Sequence, residues 1–227
     1  VGFTAAGVTG TGAAAVTTYN LTPAQAAGLH VQPFANLHGT ITVDVTTTSH
    51  DGTAMSRSDT VSFAITVAAV ADAPTVQVPL AALAGTEDSA IQLGGLRGAQ
   101  ALSVALVDID GSEVLSVVLS GIPEGSILSR GANNGADPAN PGYTTWTVPV
   151  SALSDAGFTL TPPLNYSGTL HLTLTGNAIE LSNGSVATSP TAGHTFDVAV
   201  APVADAPEIL SRNVTISDGI DGTLNLN

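Results

Sequence analysis

The sequence predicts an all-β protein made of tandem seven-stranded β-sandwich modules joined by short linkers. Three observations lead to this fold class. Apolar and polar residues alternate along most of the chain, no long segment keeps a helical period, and blocks of sequence recur. Glycine, proline and asparagine cluster between the alternating runs, where turns between strands would need them. We therefore expect about seven short strands in each module.

The recurrence is clearest in the tetrapeptide Ala-Asp-Ala-Pro, which occupies residues 71–74 and again 204–207. The spacing from Asp72 to Asp205 is 133 residues. At the same spacing, residues 61–67 align with 194–200 and keep large apolar side chains at the same alternate positions. A period of this length suits a complete domain and is too long for one turn of a solenoid.

Three modules follow from this alignment. Residues 1–70 are predicted to be the C-terminal part of one β-sandwich module, and residues 71–203 a complete one. Residues 204–227 are predicted to be the linker and opening strands of a third, because 218–226 align with 85–93. The chain would then be a slice of a longer protein.

The alternating runs are predicted strands that cover a shared core. In chain order they occupy residues 41–45, 76–80, 115–119, 158–160, 170–174 and 196–200. Apolar side chains take every second position, and mostly threonine, serine, aspartate or histidine lies between them. The weak helical pattern at 149–156, matched by 23–27, is expected to form a single turn that connects two strands.

The composition is strongly acidic. Eighteen acidic residues face four arginines and no lysine, which gives a formal net charge of −14. Nucleic acid is therefore an improbable partner. The chain has no cysteine, so no disulfide framework holds it, and no apolar run approaches the roughly 18 residues that a membrane helix needs. The lack of cysteine and lysine fits an extracellular bacterial protein.

The acidic residues are predicted to gather at the two ends of the complete module. Successive strands of a sandwich run in alternate directions, so strand order assigns each loop to the leading end, where the chain enters, or to the trailing end, where it leaves. Five acids are assigned to the leading end and three to the trailing end. They are Asp72, Asp108, Asp110, Glu113 and Glu180, and then Glu87, Asp88 and Asp205.

Such a gathering of carboxylates needs compensation. Two full charges about 4 Å apart repel by roughly 4 kcal/mol at an effective dielectric constant near 20. Carboxylate, carbonyl and water oxygens are the ligands that calcium prefers. The sequence therefore predicts Ca²⁺ at the junctions between neighbouring modules. The alternative is that residues 108–111, with the pattern Asp-x-Asp-Gly, only form solvated turns.

Several phrases of the complete module resemble the cadherin-like tandem repeats of giant bacterial RTX adhesins. They lie at residues 70–74, 86–89, 108–113 with 121–123, and 160–168. The resemblance implies a Greek-key sandwich of the cadherin or immunoglobulin type, located at the bacterial cell surface after type I secretion. It also implies a role in cell adhesion and biofilm formation, as an extender that calcium rigidifies at its linkers.

Other functions fit the sequence less well. An EF-hand beginning at Asp108 would need Glu at its twelfth position, which is Leu119. There is no cysteine nucleophile and no Gly-x-Ser-x-Gly motif, so the sequence favours a protein that is not an enzyme. The alternative function is a glycan- or protein-binding module that uses the loop at 129–142, with Tyr143 and Trp146 nearby. The adhesion target stays open.

Overall fold

The computed structural model describes residues 5–9, 16–57, 59–190 and 194–206. Outside turns and loops, these residues form almost only β-strands, which confirms the predicted all-β class. In this part of the chain, no helix is long and apolar enough to cross a membrane.

The chain divides into two compact units. The first comprises residues 1–71 together with 180–185, and the second comprises 72–179 and 186–227. The division falls after Ala71, whereas the sequence placed a boundary after residue 70. Beyond residue 206, the predicted third module lies outside the described residues.

In its described part, the first unit consists of strand pairs and one short helix. Its elements are β1 (Ala5–Thr9), β2 (Val16–Tyr19), α1 (Pro23–Ala26), β3 (Gly39–Val45), β4 (Thr48–Asp51), β5 (Ala54–Arg57) and β6 (Val61–Val67). The pairs β1–β2, β3–β6 and β4–β5 are antiparallel. A capping box between Thr22 and Gln25 starts α1, so the predicted helical turn is confirmed.

The second unit contains the larger sheets. Its strands are β7 (Thr75–Gln77), β8 (Leu83–Thr86), β9 (Ile91–Gln92), β10 (Ser103–Ala105), β11 (Glu113–Pro123), β12 (Ile127–Leu128), β13 (Ala132–Ala136), β14 (Tyr143–Val148), β15 (Thr159–Thr161), β16 (Gly168–Glu180), β17 (Val186–Thr188) and β18 (Thr195–Ala201). Short 3-10 helices lie at Gly98–Gln100 and Val150–Ser154, and the second of these matches the predicted turn.

The strands of the second unit form a sandwich-like arrangement. One sheet has the order β13-β14-β11-β16-β18-β8, and β17 pairs with β16 beside it. Smaller sheets have the orders β12-β15-β9 and β10-β7. The neighbours β18 and β8 run parallel, with Val198 opposite Leu83, whereas β16 and β18 are antiparallel.

The core of the second unit follows the predicted alternation. Leu170, Leu172 and Leu174 are each at most 1% exposed, whereas His171 between them faces solvent. Phe158 is completely buried in the same core. The predicted inward position of Leu80 is wrong, because this side chain is 86% exposed. Phe158 and the three buried leucines share one core cluster, which includes side chains from both the large sheet and the smaller ones.

A bulge in β11 brings two strands unusually close together. The register shifts between Leu119 and Ile122, and Gly121 adopts a φ of 78°. A Cβ atom at this position would overlap the carbonyl oxygen of His171 in β16. The position therefore requires glycine for both its left-handed conformation and its lack of a side chain.

The two units contain strand pairs with the same register. Gly39 faces Val67 in the β3–β6 pair, and Gly168 faces Val200 in the β16–β18 pair. Both glycines have a positive φ, of 110° and 134°. The sequence relates the same residues, since 61–67 align with 194–200 and, with a small loop difference, 36–43 align with 165–172, which places 39 on 168 and Asn36 on Asn165.

Candidate functional site

The leading end of the second unit is organised around Glu113. The backbone N–H of Asp72 donates a hydrogen bond of 2.8 Å to Glu113 Oε1. Glu113 is the first residue of β11 and shares its strand face with the buried Val117 and Leu119. This placement draws the carboxylate toward the interior, where only 6% of the residue is exposed.

The second oxygen of this carboxylate, Oε2, is buried, and no described residue donates a hydrogen bond to it. A buried polar atom without a partner costs about 1–3 kcal/mol, and more when the group is charged. A bound cation would remove that cost, because it supplies positive charge to an oxygen that no N–H or O–H reaches.

The loop before β11 contributes two more carboxylates of the same unit. Asp108 is 8% exposed, and its Oδ1 accepts the N–H of Asp110 at 3.0 Å. Asp110 Oδ1 in turn accepts the N–H of Ser112 at 2.7 Å. Gly111 allows the loop to bend with a φ of 90°. Two successive Asx turns therefore fix both aspartates close in sequence to Glu113.

These carboxylates do not form a completed set of metal ligands. In the described part of the chain, no three histidine or acidic side chains are grouped as they would be around a bound ion. Calcium accepts backbone carbonyls and waters in addition to carboxylates, and its coordination geometry is flexible. The chemistry of Asp72, Asp108, Asp110 and Glu113 fits such an ion, provided that the side chains adjust when it binds.

Glu180 is described with the first unit. It ends β16, is 2% exposed, and its Oε1 accepts the N–H of Ser182 at 3.2 Å. Its turn is tied to the end of the first unit, since Asn183 Nδ2 donates to the Ala69 carbonyl at 2.7 Å and Ser185 Oγ accepts the Ala71 N–H at 3.1 Å. Neither contact was predicted from the sequence, although the Asn-Gly pair at 183–184 is typical of a tight turn.

At the trailing end, Glu87 is hydrogen-bonded to the end of β18 and to the residues just beyond it. Its Oε1 accepts the N–H of Val203 at 2.6 Å, and its own N–H donates to the Ala201 carbonyl at 3.0 Å. Glu87 directly follows β8 and is 7% exposed. The parallel pairing of β8 with β18 is therefore extended by a side-chain hydrogen bond to Val203, which lies just beyond the end of β18.

The other two acids at the trailing end have different surroundings. Asp88 has a φ of 56°, and its Oδ1 accepts the N–H of Asn165 at 2.9 Å. Asn165 itself has a φ of 57°, and its counterpart Asn36 has a φ of 63°. Asp205 is exposed. Glu87 and Asp88 thus have backbone partners, whereas Asp205 faces solvent.

The 129–142 loop of the alternative binding site is largely exposed, but the nearby Trp146 is buried, and core packing was its favoured interpretation from the sequence. Trp146 is 8% exposed, and its Nε1 donates to Thr144 Oγ1 at 3.2 Å. This side chain packs in the core and does not present its ring to a ligand. Burial raises the pKa of Tyr166, and the neighbouring Tyr143 adds to that shift.

No protein-family model matches this chain, and no curated protein matches it.

Proposed function

We propose that the second unit is a non-catalytic extender module of a large bacterial surface adhesin, and that it binds Ca²⁺ at its leading end. Asp72, Asp108, Asp110 and Glu113 would supply the carboxylate ligands. The observation that carries the proposal is the buried and unpartnered Oε2 of Glu113. In the extracellular protein, modules of this kind would follow one another and hold a distal ligand-binding domain away from the cell.

The matching strand registers support the extender role. The β3–β6 and β16–β18 pairs have equivalent registers, and equivalent left-handed asparagines precede them at Asn36 and Asn165. Chance agreement of register and backbone conformation at aligned residues is improbable, because a shift of one residue would turn every side chain to the other face. A chain that repeats one module is suited to setting a distance.

Charge supports the choice of ion. The chain has a formal charge of −14, so a divalent cation also relieves general repulsion. Oxygen-rich extracellular modules bind calcium with dissociation constants of about 10⁻⁴ to 10⁻³ M. We therefore expect the site to be filled outside the cell, where calcium is abundant, and empty in the cytosol.

The trailing end has a different part in the proposal. Glu87 already binds the Val203 N–H, so it would fix the direction of the linker without any ion. Asp205 follows two residues later and is exposed. Together with Asp88, it would be available to a cation held at the start of the following module.

Calorimetric titration and small-angle scattering test the proposal. The chain is titrated with calcium and, separately, with magnesium after treatment with a chelator. We expect calcium to bind with a dissociation constant of about 10⁻⁴ to 10⁻³ M and magnesium to bind more weakly, because magnesium requires a stricter octahedral geometry. Small-angle scattering should also show a narrower range of molecular dimensions in calcium than in chelator. No heat of calcium binding, with scattering unchanged by chelator, would refute the proposal.

A further inference from the structure

The described residues contain two Asn-Gly dipeptides in different surroundings. Asn134 and Gly135 lie in β13, and Asn183 and Gly184 lie in the turn that follows β16. In such dipeptides, the glycine nitrogen can attack the asparagine side-chain amide because no Cβ obstructs the approach. We infer that Asn134 is a site of spontaneous deamidation and that the fold protects Asn183. This inference goes beyond the calcium proposal and does not depend on it.

The position of Asn134 gives the reaction room. All five residues of β13 are exposed, and β13 is the outer strand of its sheet. Its register with β14 shifts between Asn133 and Ala136, so Asn134 and Gly135 lie in a bulge outside the regular ladder. Local rearrangement there breaks few contacts.

The hydrogen bonds around Asn134 favour the chemical step. Thr147 Oγ1 donates to Asn134 Oδ1 at 3.1 Å, and this is the oxygen that gains negative charge during attack. The Gly135 N–H donates to the exposed side chain of the neighbouring Asn133 at 2.7 Å, so a rotation of that side chain frees the attacking nitrogen. The departing amine is held only by a 3.5 Å contact from Asn134 Nδ2 to Thr145 Oγ1.

The reaction itself needs only water. The Gly135 nitrogen bonds to Asn134 Cγ and loses its proton to solvent, while the Cγ–Nδ2 bond breaks and the NH2 group takes up a proton from solvent and leaves as ammonia. The product is a cyclic imide that joins the two residues. Water then adds to either imide carbonyl and opens the ring, which gives aspartate or isoaspartate. Each event replaces a neutral amide by a carboxylate.

Asn183 is held more firmly. Its Nδ2, which must leave in the reaction, donates to the Ala69 carbonyl at 2.7 Å, whereas the corresponding contact of Asn134 is 3.5 Å long. The attacking nitrogen is occupied as well, since the Gly184 N–H donates to the Glu180 carbonyl at 2.8 Å. Attack would require these hydrogen bonds to break together, so the turn must open first.

Mass spectrometry of the intact chain tests the inference. The protein is incubated in mildly alkaline buffer, both folded and unfolded in urea, and fragments that separate Asn134 from Asn183 are quantified over time. We expect Asn134 to convert in the folded protein at least as fast as in urea. Asn183 should convert about tenfold more slowly, or slower still, in the folded protein than in urea. Asn134→Gln should abolish the main product.

Thr147→Val provides a matched variant, because valine keeps the shape of threonine and lacks its hydroxyl. We expect it to slow conversion of Asn134 in the folded protein and to leave the rate in urea unchanged. The inference is overturned if Asn183 converts as fast as Asn134 in the folded wild-type protein. Suppression of Asn134 conversion by folding would overturn it too, and that comparison needs no variant.

Discussion

Replacement of Glu113 by glutamine should have opposite effects on stability with and without calcium. Glutamine keeps the acceptor for the Asp72 N–H and removes the charge from the buried Oε2 position. In chelator, loss of an unpartnered buried charge should leave the free energy of unfolding unchanged or raise it by about 1 kcal/mol. With calcium present, the variant lacks a charged ligand and should lose the stabilisation that the ion gives the wild type.

The size of the calcium effect follows from mass action. At about 10 mM calcium, roughly 10 to 100 times the expected dissociation constant, binding to the folded state alone adds about 1.4 to 2.7 kcal/mol to the free energy of unfolding. Wild type should therefore be more stable than Glu113→Gln in calcium and no more stable in chelator. This reversal of order separates the loss of a ligand from general damage to the fold.

The single tryptophan provides the assay. Trp146 is buried in the core of the second unit, so its fluorescence during urea unfolding reports that unit specifically. Glu124→Gln is the matched control, because Glu124 is an exposed glutamate of the same unit. The reasoning is refuted if Glu113→Gln keeps the full calcium shift. The reasoning is also refuted if the free energy of unfolding of Glu113→Gln in chelator is several kcal/mol below that of the wild type, as expected for a purely structural glutamate.

Three further predictions use the same fluorescence assay. Glu87→Ala should lower the free energy of unfolding by about 1–3 kcal/mol, because it removes the acceptor of the Val203 N–H. Hydrogen exchange at the Val203 amide should become faster, and unchanged exchange would count against this role. Gly121→Ala should lower the free energy of unfolding by about 2 kcal/mol or more, because no side chain fits beside β16. An almost unchanged free energy of unfolding would contradict the close approach of the two strands. The hydrogen bond from the Gly157 N–H is the main reason that the pKa of Asp155 is lowered, so Asp155 should stabilise the fold above its ordinary carboxyl pKa. This contribution is lost as the pH falls through the lowered value, and Asp155→Asn should weaken the acid dependence, whereas an unchanged pH profile would disprove the assignment.

Alternation predicted much of the core, and its failure at Leu80 has a local cause. The pattern at 76–80 continues through Pro79, which has no N–H to donate to a neighbouring strand. In the structure, β7 ends at Gln77, and the N–H of Leu80 bonds instead to the Ala99 carbonyl. The alternation of apolar residues thus extends to Leu80, although the paired strand ends at Gln77.

The candidate site was only partly accessible from the sequence. Strand order assigned Asp72 and Glu113 to the same end, and a hydrogen bond joins them. The burial of the second Glu113 oxygen depends on how far β11 extends into the core, which composition and spacing do not specify. Similarly, the contacts of Asn183 and Ser185 with residues 69 and 71 join parts of the chain that no pattern links. The metal role of these acids stays a prediction.

The parallel pairing of β8 with β18 has a mechanical consequence. The strand β8 lies near the start of the second unit, and β18 is the last of its described strands. Because the two run parallel, the first residue of β8 and the last residue of β18 lie at opposite ends of the pair. Tension applied through the termini would therefore pull the strands along their length in opposite directions. All hydrogen bonds between them would bear the force at once, instead of opening one after another. The hydrogen bond from the Val203 N–H to Glu87 would be loaded in the same direction. The β8–β18 pair should therefore be the part of the unit that resists mechanical unfolding most strongly.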